Sequence, residues 1–292
     1  MFRLAHLTDP HLGPLPRPRL PELAGKRMLG LASRVRPRGW RHDMAVLDAL
    51  VTDLLAERPD HVAVTGDLVN LGLAAEFAPA LEFLSRLGAA EDVSVVPGNH
   101  DCYVPDTAGD AARVWADHIR GDDGLAGFPY LRRRGPLAIV GVSSAVPTMP
   151  VSAAGRVGEE QCARLKELLA GLAAEKLFRV VLVHHSPAAS RSGRLRRLLD
   201  GPAFRAVLAT SGAELVLHGH DHHATLRTVP GPEGPIPVIG AASASVGLSG
   251  RKPPAAYNLF DISGTGGAWR CSFIERGLTL EGIRELRRVE LG

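Results

Sequence analysis

Six short runs along the chain are apolar and then stop at a polar or glycine residue: FRLAHLTD, HVAVTGD, VSVVPGN, LAIVGVSS, RVVLVHH and ELVLHGH. Runs this short, rich in Val and Ile and lacking polar alternation, predict strands buried on both faces, as in sheets covered by helices. Between them, apolar side chains recur at spacings of three and four. The clearest stretch, DMAVLDALVTDLLAE over 43–57, predicts a helix that ends before Pro59. Residues 73–87, 108–120, 159–173 and 202–211 follow the same rule more loosely. Alternating strand and helix predicts an α/β domain with much parallel pairing. Toward the C-terminus the character changes. IPVIGAAS, AAYNLFDIS and AWRCSFIE, separated by Gly/Pro-rich turns, predict antiparallel strands.

No internal repeat and no long polar linker divides the pattern, so residues 1–292 are expected to form one domain. Composition changes this picture little. The 292 residues are 45% apolar and 22% charged, ordinary for a globular protein. No apolar run approaches the roughly eighteen residues of a membrane span, and MFRLAHLTD reads as a strand rather than a signal peptide. Cys102, Cys162 and Cys271 are widely spread and form no C-x-x-C pair. That excludes a disulfide framework and suits a reducing cytoplasm. Charge is more informative. The net +3 is uneven: residues 14–42 hold eight Lys/Arg (Arg17, Arg19, Lys26, Arg27, Arg34, Arg36, Arg38, Arg41) against Glu22. This Pro/Arg-rich stretch therefore carries +7, the remainder sums to −4, and the stretch is the one plausible insertion.

Candidate chemistry lies where the strand-like runs end. Five of them close on Asp, His or Asn: Asp9 and His11 in TDPHLG, Asp67 in TGDLVN, Asn99 and His100 in PGNHD, His184 and His185 in VHHSP, His220 and His222 in HGHDHH. Ligands bind at the carboxyl ends of strands in α/β sheets because neighbouring loops converge there. Mixed imidazole, carboxylate and amide donors suit divalent Mn, Fe, Zn or Co. About seven donors exceed one tetrahedral site and fit two adjacent ions.

The ordered set D-x-H, G-D, G-N-H-D, H and G-H-x-H resembles the calcineurin-like metallophosphoesterase superfamily, in that family's order from Asp9 to His222. The resemblance implies a four-layer αββα sandwich, two mixed β-sheets flanked by helices, with a dinuclear metal site at the C-terminal ends of the strands. It implies that Asp9, His11 and His222 bind one ion, that Asp67 bridges, and that Asn99, His184 and His220 bind the other. His184 is chosen over His185 because it directly follows the apolar run, as the family ligand does. The resemblance further implies that His100 faces the substrate beside Asn99, oriented by Asp101, and that a metal-bridging hydroxide attacks phosphorus. Manganese, iron and zinc are the expected metals.

The other histidines have plainer readings. His218 and His6 are expected to be packed core residues, and His42, His61, His118 and His223 lack supporting neighbours. Cys102 reads as a small buried thiol. Asp221, between two ligands, is either a hydrogen-bond acceptor behind them or a solvated turn residue.

In pattern the chain resembles the bacterial class III cyclic-nucleotide phosphodiesterases, which makes a cyclic nucleotide or another small phosphodiester the expected substrate. Lipid-precursor pyrophosphohydrolases share these motifs. An alternative is therefore a membrane-peripheral hydrolase of a lipid-linked phosphate ester or pyrophosphate, cytoplasmic and seated on the inner membrane surface. DPHLG also resembles the double-strand-break repair nucleases, but the chain lacks their additional length, so no specific nucleic-acid partner is expected. The family's inactive scaffolds lose ligands, which this chain keeps. A homodimer stays open. Residues 14–42, with Leu, Met, Val and Trp40 among the cations, are expected either as an Arg-rich surface loop or as a lid touching an anionic substrate or membrane. Arg191, Arg194, Arg196 and Arg197 could flank the same mouth.

Overall fold

A computed structural model describes residues 1–35, 42–188, 193–249, 252–266 and 268–291. Arg36, Arg38, Trp40 and Arg41 of the basic stretch, and Arg191, lie outside them, and the side chain of Arg34 is likewise not described. Each apolar run becomes a strand: β1 (Phe2–Leu7), β2 (His61–Val64), β3 (Val93–Val95), β5 (Leu137–Gly141), β6 (Phe178–Leu182) and β7 (Leu215–His218). The first three pair in parallel in one sheet, and β5, β6 and β7 pair in parallel in the other. Their carboxyl ends consequently gather along shared edges.

The helices also follow the sequence pattern: α2 (Met44–Ala56), α3 (Ala74–Leu87), α5 (Glu159–Glu175) and α6 (Gly201–Ser211). The α2 start is set by Asp43, whose carboxylate accepts from Ala45 N (2.9 Å) and Val46 N (3.4 Å). The 108–120 stretch is not one helix. It breaks into α4 (Asp110–Val114) and a 3-10 turn at Ala116–His118.

Burial alternates strictly along the second sheet, which settles the layering. Leu137, Ile139, Val180, Leu215 and Leu217 join the core shared with the first sheet, whereas Ala138, Val140, Val181 and Val216 pack with Leu165, Leu169 and Phe204 of α5 and α6. One face meets the other sheet and the other face meets helices. The result is two mixed six-stranded sheets flanked by helices.

Four elements carry no continuous apolar signal: α1 (Lys26–Val35), β4 (Tyr130–Arg134), β8 (Thr225–Pro230) and β12 (Gly282–Glu290). The three strands are sheet edges, in the orders β12-β11-β10-β1-β2-β3 and β4-β5-β6-β7-β9-β8, with β9 at Pro235–Gly240, β10 at Ala256–Thr265 and β11 at Ala268–Thr279. Edge strands tolerate charge along their open side, so YLRRR and GIRELRRVE conceal themselves. The expectation of an antiparallel C-terminal region holds for β10, β11 and β12. It needs correction at β9, which pairs in parallel with β7 as well as antiparallel with β8.

Candidate metal centre

Backbone bonds stitch the loops that leave β1 and β2 to each other, and those that leave β6 and β7. Asp9 N donates to Gly66 O (3.0 Å), His11 N to Asp67 O (3.1 Å) and Gly219 N to His184 O (3.0 Å). Close approach depends on the motif glycines. A side chain at Gly98 would collide with Asp67, and one at Gly219 with Thr8 and Asp9.

Asp9, His11, Asp67, Asn99, His184, His220 and His222 are all buried around one point where the two sheets' loops meet. Ligand atoms of Asp9, His11, Asp67 and His222 lie within 4.8 Å of one another. His11 Nε2 and His222 Nε2 are 3.4 Å apart, and His222 Nε2 is 3.1 Å from Asp9 Oδ1. Across Asp67, His184 Nε2 stands 3.3 Å from Asn99 Oδ1, which is 2.8 Å from His220 Nδ1. Asp67 Oδ2 faces both groups, 3.8 Å from His11 Nε2 and 3.4 Å from His184 Nε2. Donors about 2.1 Å from a common ion stand roughly 3–4 Å from each other, so both groups have the spacing an ion requires.

Asp9 gives a second sign of fit. Its Oδ2 accepts from Thr8 Oγ1 (2.8 Å) and His220 N (3.0 Å), whereas Oδ1, fully buried, accepts no hydrogen bond among the described residues. A buried carboxylate oxygen left this way points to a cation. Three of the four histidines are held from behind: His11 Nδ1 by Val69 O (3.3 Å), His184 Nδ1 by Thr65 O (2.6 Å), His220 Nε2 by Arg196 O (2.8 Å). A carbonyl behind each of these three rings fixes the tautomer and turns the other nitrogen's lone pair inward. His185 lies within 4.8 Å of His184 and His220, but Ser144 Oγ (2.8 Å) and Ala153 O (3.1 Å) occupy its two nitrogens. The open nitrogen is on His184.

Electrostatics agree. Burial opposes charge on His184, yet Asp67 and Asp9 hold it up to about 10, which marks a point where positive charge is favoured. Burial raises the Asp67 and Asp9 carboxyls, but the surrounding imidazoles outweigh it and hold both below the usual range. Burial pushes His220 down to about 4, with His184 adding to the fall, and pushes His11 well below its ordinary value. Both shifts favour the neutral imidazole, the form in which a histidine ligates.

His100 sits at the pocket face, half-buried. Its N donates to Asp67 Oδ1 (2.7 Å), its ring is 4.8 Å from that of His11, and it stacks on Tyr103 at 5.2 Å. The orienting role expected of Asp101 is corrected. The His100 ring bonds the Asn70 carbonyl through Nδ1, and Asp101 does not touch it. Asp101 Oδ1 accepts from Leu68 N (2.9 Å) and Val69 N (3.0 Å), and Oδ2 from Asp67 N (2.8 Å) and Gly98 N (2.7 Å). Four backbone donors saturate it. Burial and the Asp67 charge raise it to about 7 against their pull. Glu76 continues the work, accepting from Asn70 N, Leu71 N and Leu73 N at 2.7–3.0 Å. Two buried carboxylates thus hold the loop that presents Asp67.

His6 and His218 pack as expected. His6 bonds Thr65 Oγ1 (2.9 Å), and His218 bonds Thr225 Oγ1 (3.0 Å). His42, set aside from sequence, lies with its ring 4.6 Å from that of His11 and its Nδ1 2.7 Å from Ser245 Oγ. A bridge between His42 and Val246, with Asp43 N donating to Ser245 O (2.8 Å), brings it there, and no local motif signals such a pairing.

The model for calcineurin-like phosphoesterases matches residues 2–224. The chain belongs to the calcineurin-like phosphoesterase family. Among curated proteins none matches it in sequence. Solved structures share the fold. A dimetal phosphatase from Danio rerio is 15% identical over 99% of this chain and 98% of its own, with a TM-score of 0.65. A purple acid phosphatase from yellow lupin is 12% identical over 97% of this chain and 52% of its own, at 0.62. The SoxB sulfate thiohydrolase of Thermus thermophilus is 17% identical over 99% of this chain and 56% of its own, at 0.52. As a calcineurin-like phosphoesterase the protein is a metal-dependent phosphoric ester hydrolase by family, with candidate clusters for its metals in place.

Proposed function

We propose that this calcineurin-like phosphoesterase hydrolyses a small phosphodiester, with Asp9, His11 and His222 holding one divalent ion, Asn99, His184 and His220 a second, and Asp67 shared. The observation that carries the reading is Asp67 Oδ2, which faces His11 and His184 at once. When bound, two divalent ions would polarise the phosphoryl oxygens and lower the pKa of water at the site. The chain's own residues do the rest. Asn99 and His100 bracket the place where a phosphoryl oxygen lies, and His100 Nε2 can pass a proton to the leaving oxygen while the Asn70 carbonyl keeps Nδ1 protonated. The alkoxide expelled from a phosphate ester needs this proton, which supports an ester over an anhydride.

The test is hydrolysis of bis-p-nitrophenyl phosphate against p-nitrophenyl phosphate with Mn²⁺, Fe²⁺, Zn²⁺ or Co²⁺. The reading expects the diester to be favoured at least tenfold in kcat/KM. Preference for the monoester would overturn the diester assignment, and inertness with every metal would leave a scaffold of the same fold. Cyclic nucleotides and glycerophosphodiesters then refine the substrate.

A second reading, a membrane-peripheral hydrolase of a lipid-linked ester, draws support from one feature. Leu20 (88% exposed), Met28 and Leu29 on the basic stretch, and Met149 and Val151 (both 79%), are apolar and open to solvent. The two segments are tied together by the Lys26–Thr148 hydrogen bond. Exposed apolar groups clustered beside cations suit an interface. Flotation with anionic liposomes at low salt decides it, and failure to float removes this reading. No helix among the described residues is long and apolar enough to cross a membrane.

A further inference from the structure

The described part of residues 14–42 is anchored. Arg27 Nε donates to Leu71 O (3.1 Å), and its Nη2 donates to Gly72 O (2.6 Å) and Thr107 Oγ1 (3.2 Å). These bonds clamp α1 to the loop that begins at Asp67. Gly30 lets the helix come close, since a side chain there would collide with Tyr103 and Leu71. Leu15 and Leu31 complete a small apolar cluster with Leu71, Leu73 and Tyr103. The basic stretch is thus packed on the wall of the site.

This packing buries a cation. Lys26 is only 8% exposed, its Nζ lies 2.7 Å from Thr148 Oγ1 and 4.4 Å from the centre of the Tyr103 ring. Tyr103 is the ring on which His100 stacks. Among the described residues no carboxylate lies within 4 Å of the ammonium. An ammonium has three donors, and here one hydroxyl and one aromatic face meet them. Taking a charge out of water without an ionic partner costs several kcal/mol. Burial accordingly lowers Lys26 to about 8, while the Asp67 charge opposes the fall. A fixed, buried, anion-free cation one ring away from the substrate-facing histidine is arranged for an anion that arrives with the substrate.

We propose that Lys26, with Thr148, binds a second, non-reacting anionic group of the substrate, a phosphate or a carboxylate, and so selects substrates bearing one beyond the phosphate at the metal centre. This rests on the reading of the centre as a phosphoesterase site. It makes Lys26 a specificity residue outside the hydrolytic chemistry, since its contacts are Thr148 and the Tyr103 ring.

Matched ligands test it on the Mn²⁺-loaded protein: glycerol 1-phosphate against 3-phosphoglycerate, and AMP against ADP. Each is measured by calorimetry and as a competitive inhibitor of bis-p-nitrophenyl phosphate hydrolysis. The wild type should bind the member with the extra anion about tenfold or more tightly. Lys26→Met keeps the aliphatic stem against Tyr103 and should bring each pair to within about twofold. Lys26→Arg should restore most of the preference, and Thr148→Val should lose part of it. A structural role for Lys26 would weaken both members of a pair equally and leave their ratio intact, which overturns the proposal. So would a wild type without preference. If the wild type binds with the expected preference but hydrolyses no ester, the phosphoesterase reading fails and the anion site stands.

Discussion

Around the metal centre the backbone turns through left-handed conformations at Asp9, His11, Asp67, His220 and His222 (φ from 44° to 69°), whereas β10, β11 and β12 run for 10, 12 and 9 residues as an antiparallel ladder whose register shifts once, between Glu275 and Arg276. Non-glycine residues with positive φ number eight among the described residues, and five of them are proposed ligands. Each such residue costs on the order of 1–2 kcal/mol. Regular strands cannot aim five side chains at one point, because their side chains alternate between faces. The centre therefore accepts strain and holds it with buried polar bonds, above all to Asp101 and Glu76. The antiparallel ladder has no such task, and Tyr257, Phe260, Ile262 and Phe273 stabilise it by apolar burial. One region is built to position groups and the other to supply stability.

Substitutions should separate the two. The largest effect is expected at Asp67. Asp67→Ala removes the donor that faces both groups, and hydrolysis should fall to background with loss of bound metal by elemental analysis, while the fold survives by circular dichroism. His100→Ala should lower kcat about 10²–10³-fold and leave metal content near that of the wild type. Loss of metal there would mean that His100 is a ligand. Asp101→Asn places an amide where four backbone N–H groups converge, so at most part of the network persists. Metal affinity should drop about 10–100-fold by competition with a chelator. If the affinity held and only turnover changed, the Asp67 loop would not depend on this carboxylate.

The ladder should answer oppositely. Phe260→Ala, at a buried position stacked on Phe273 at 5.5 Å, should cost about 3–5 kcal/mol in urea unfolding, with kcat per folded molecule preserved. The smallest effect is expected at Lys176, where left-handed backbone (φ 53°) ends α5 far from the ligands. Lys176→Gly should raise stability by about 0.5–1 kcal/mol without touching activity. Equal sensitivity of activity to Phe260→Ala and Asp67→Ala would erase the division.

The ladder and the site also differ in what their sequences disclose. Strands buried on both faces carry continuous apolar runs, so β1, β2, β3, β5, β6 and β7 were legible, and the polar residues closing five of them marked the centre. Edge strands such as β4 and β12 bear Arg and Glu on open faces and lack that signal. The work of Asp101 was misread because its partners are backbone N–H groups, which have no residue type to betray them. Glu76 was missed for the same reason. Lys26 and His42 reach the site only through tertiary packing of α1 and of the His42–Val246 bridge, and neither is written as a motif.

The most direct measurement is anomalous diffraction from crystals grown with Mn²⁺, recorded at the manganese edge. The account expects two peaks per chain, about 3.5–4 Å apart, with Asp67 Oδ2 between them, one beside Asp9, His11 and His222 and the other beside Asn99, His184 and His220. A single peak, or peaks that leave Asp67 outside coordination distance, would contradict it.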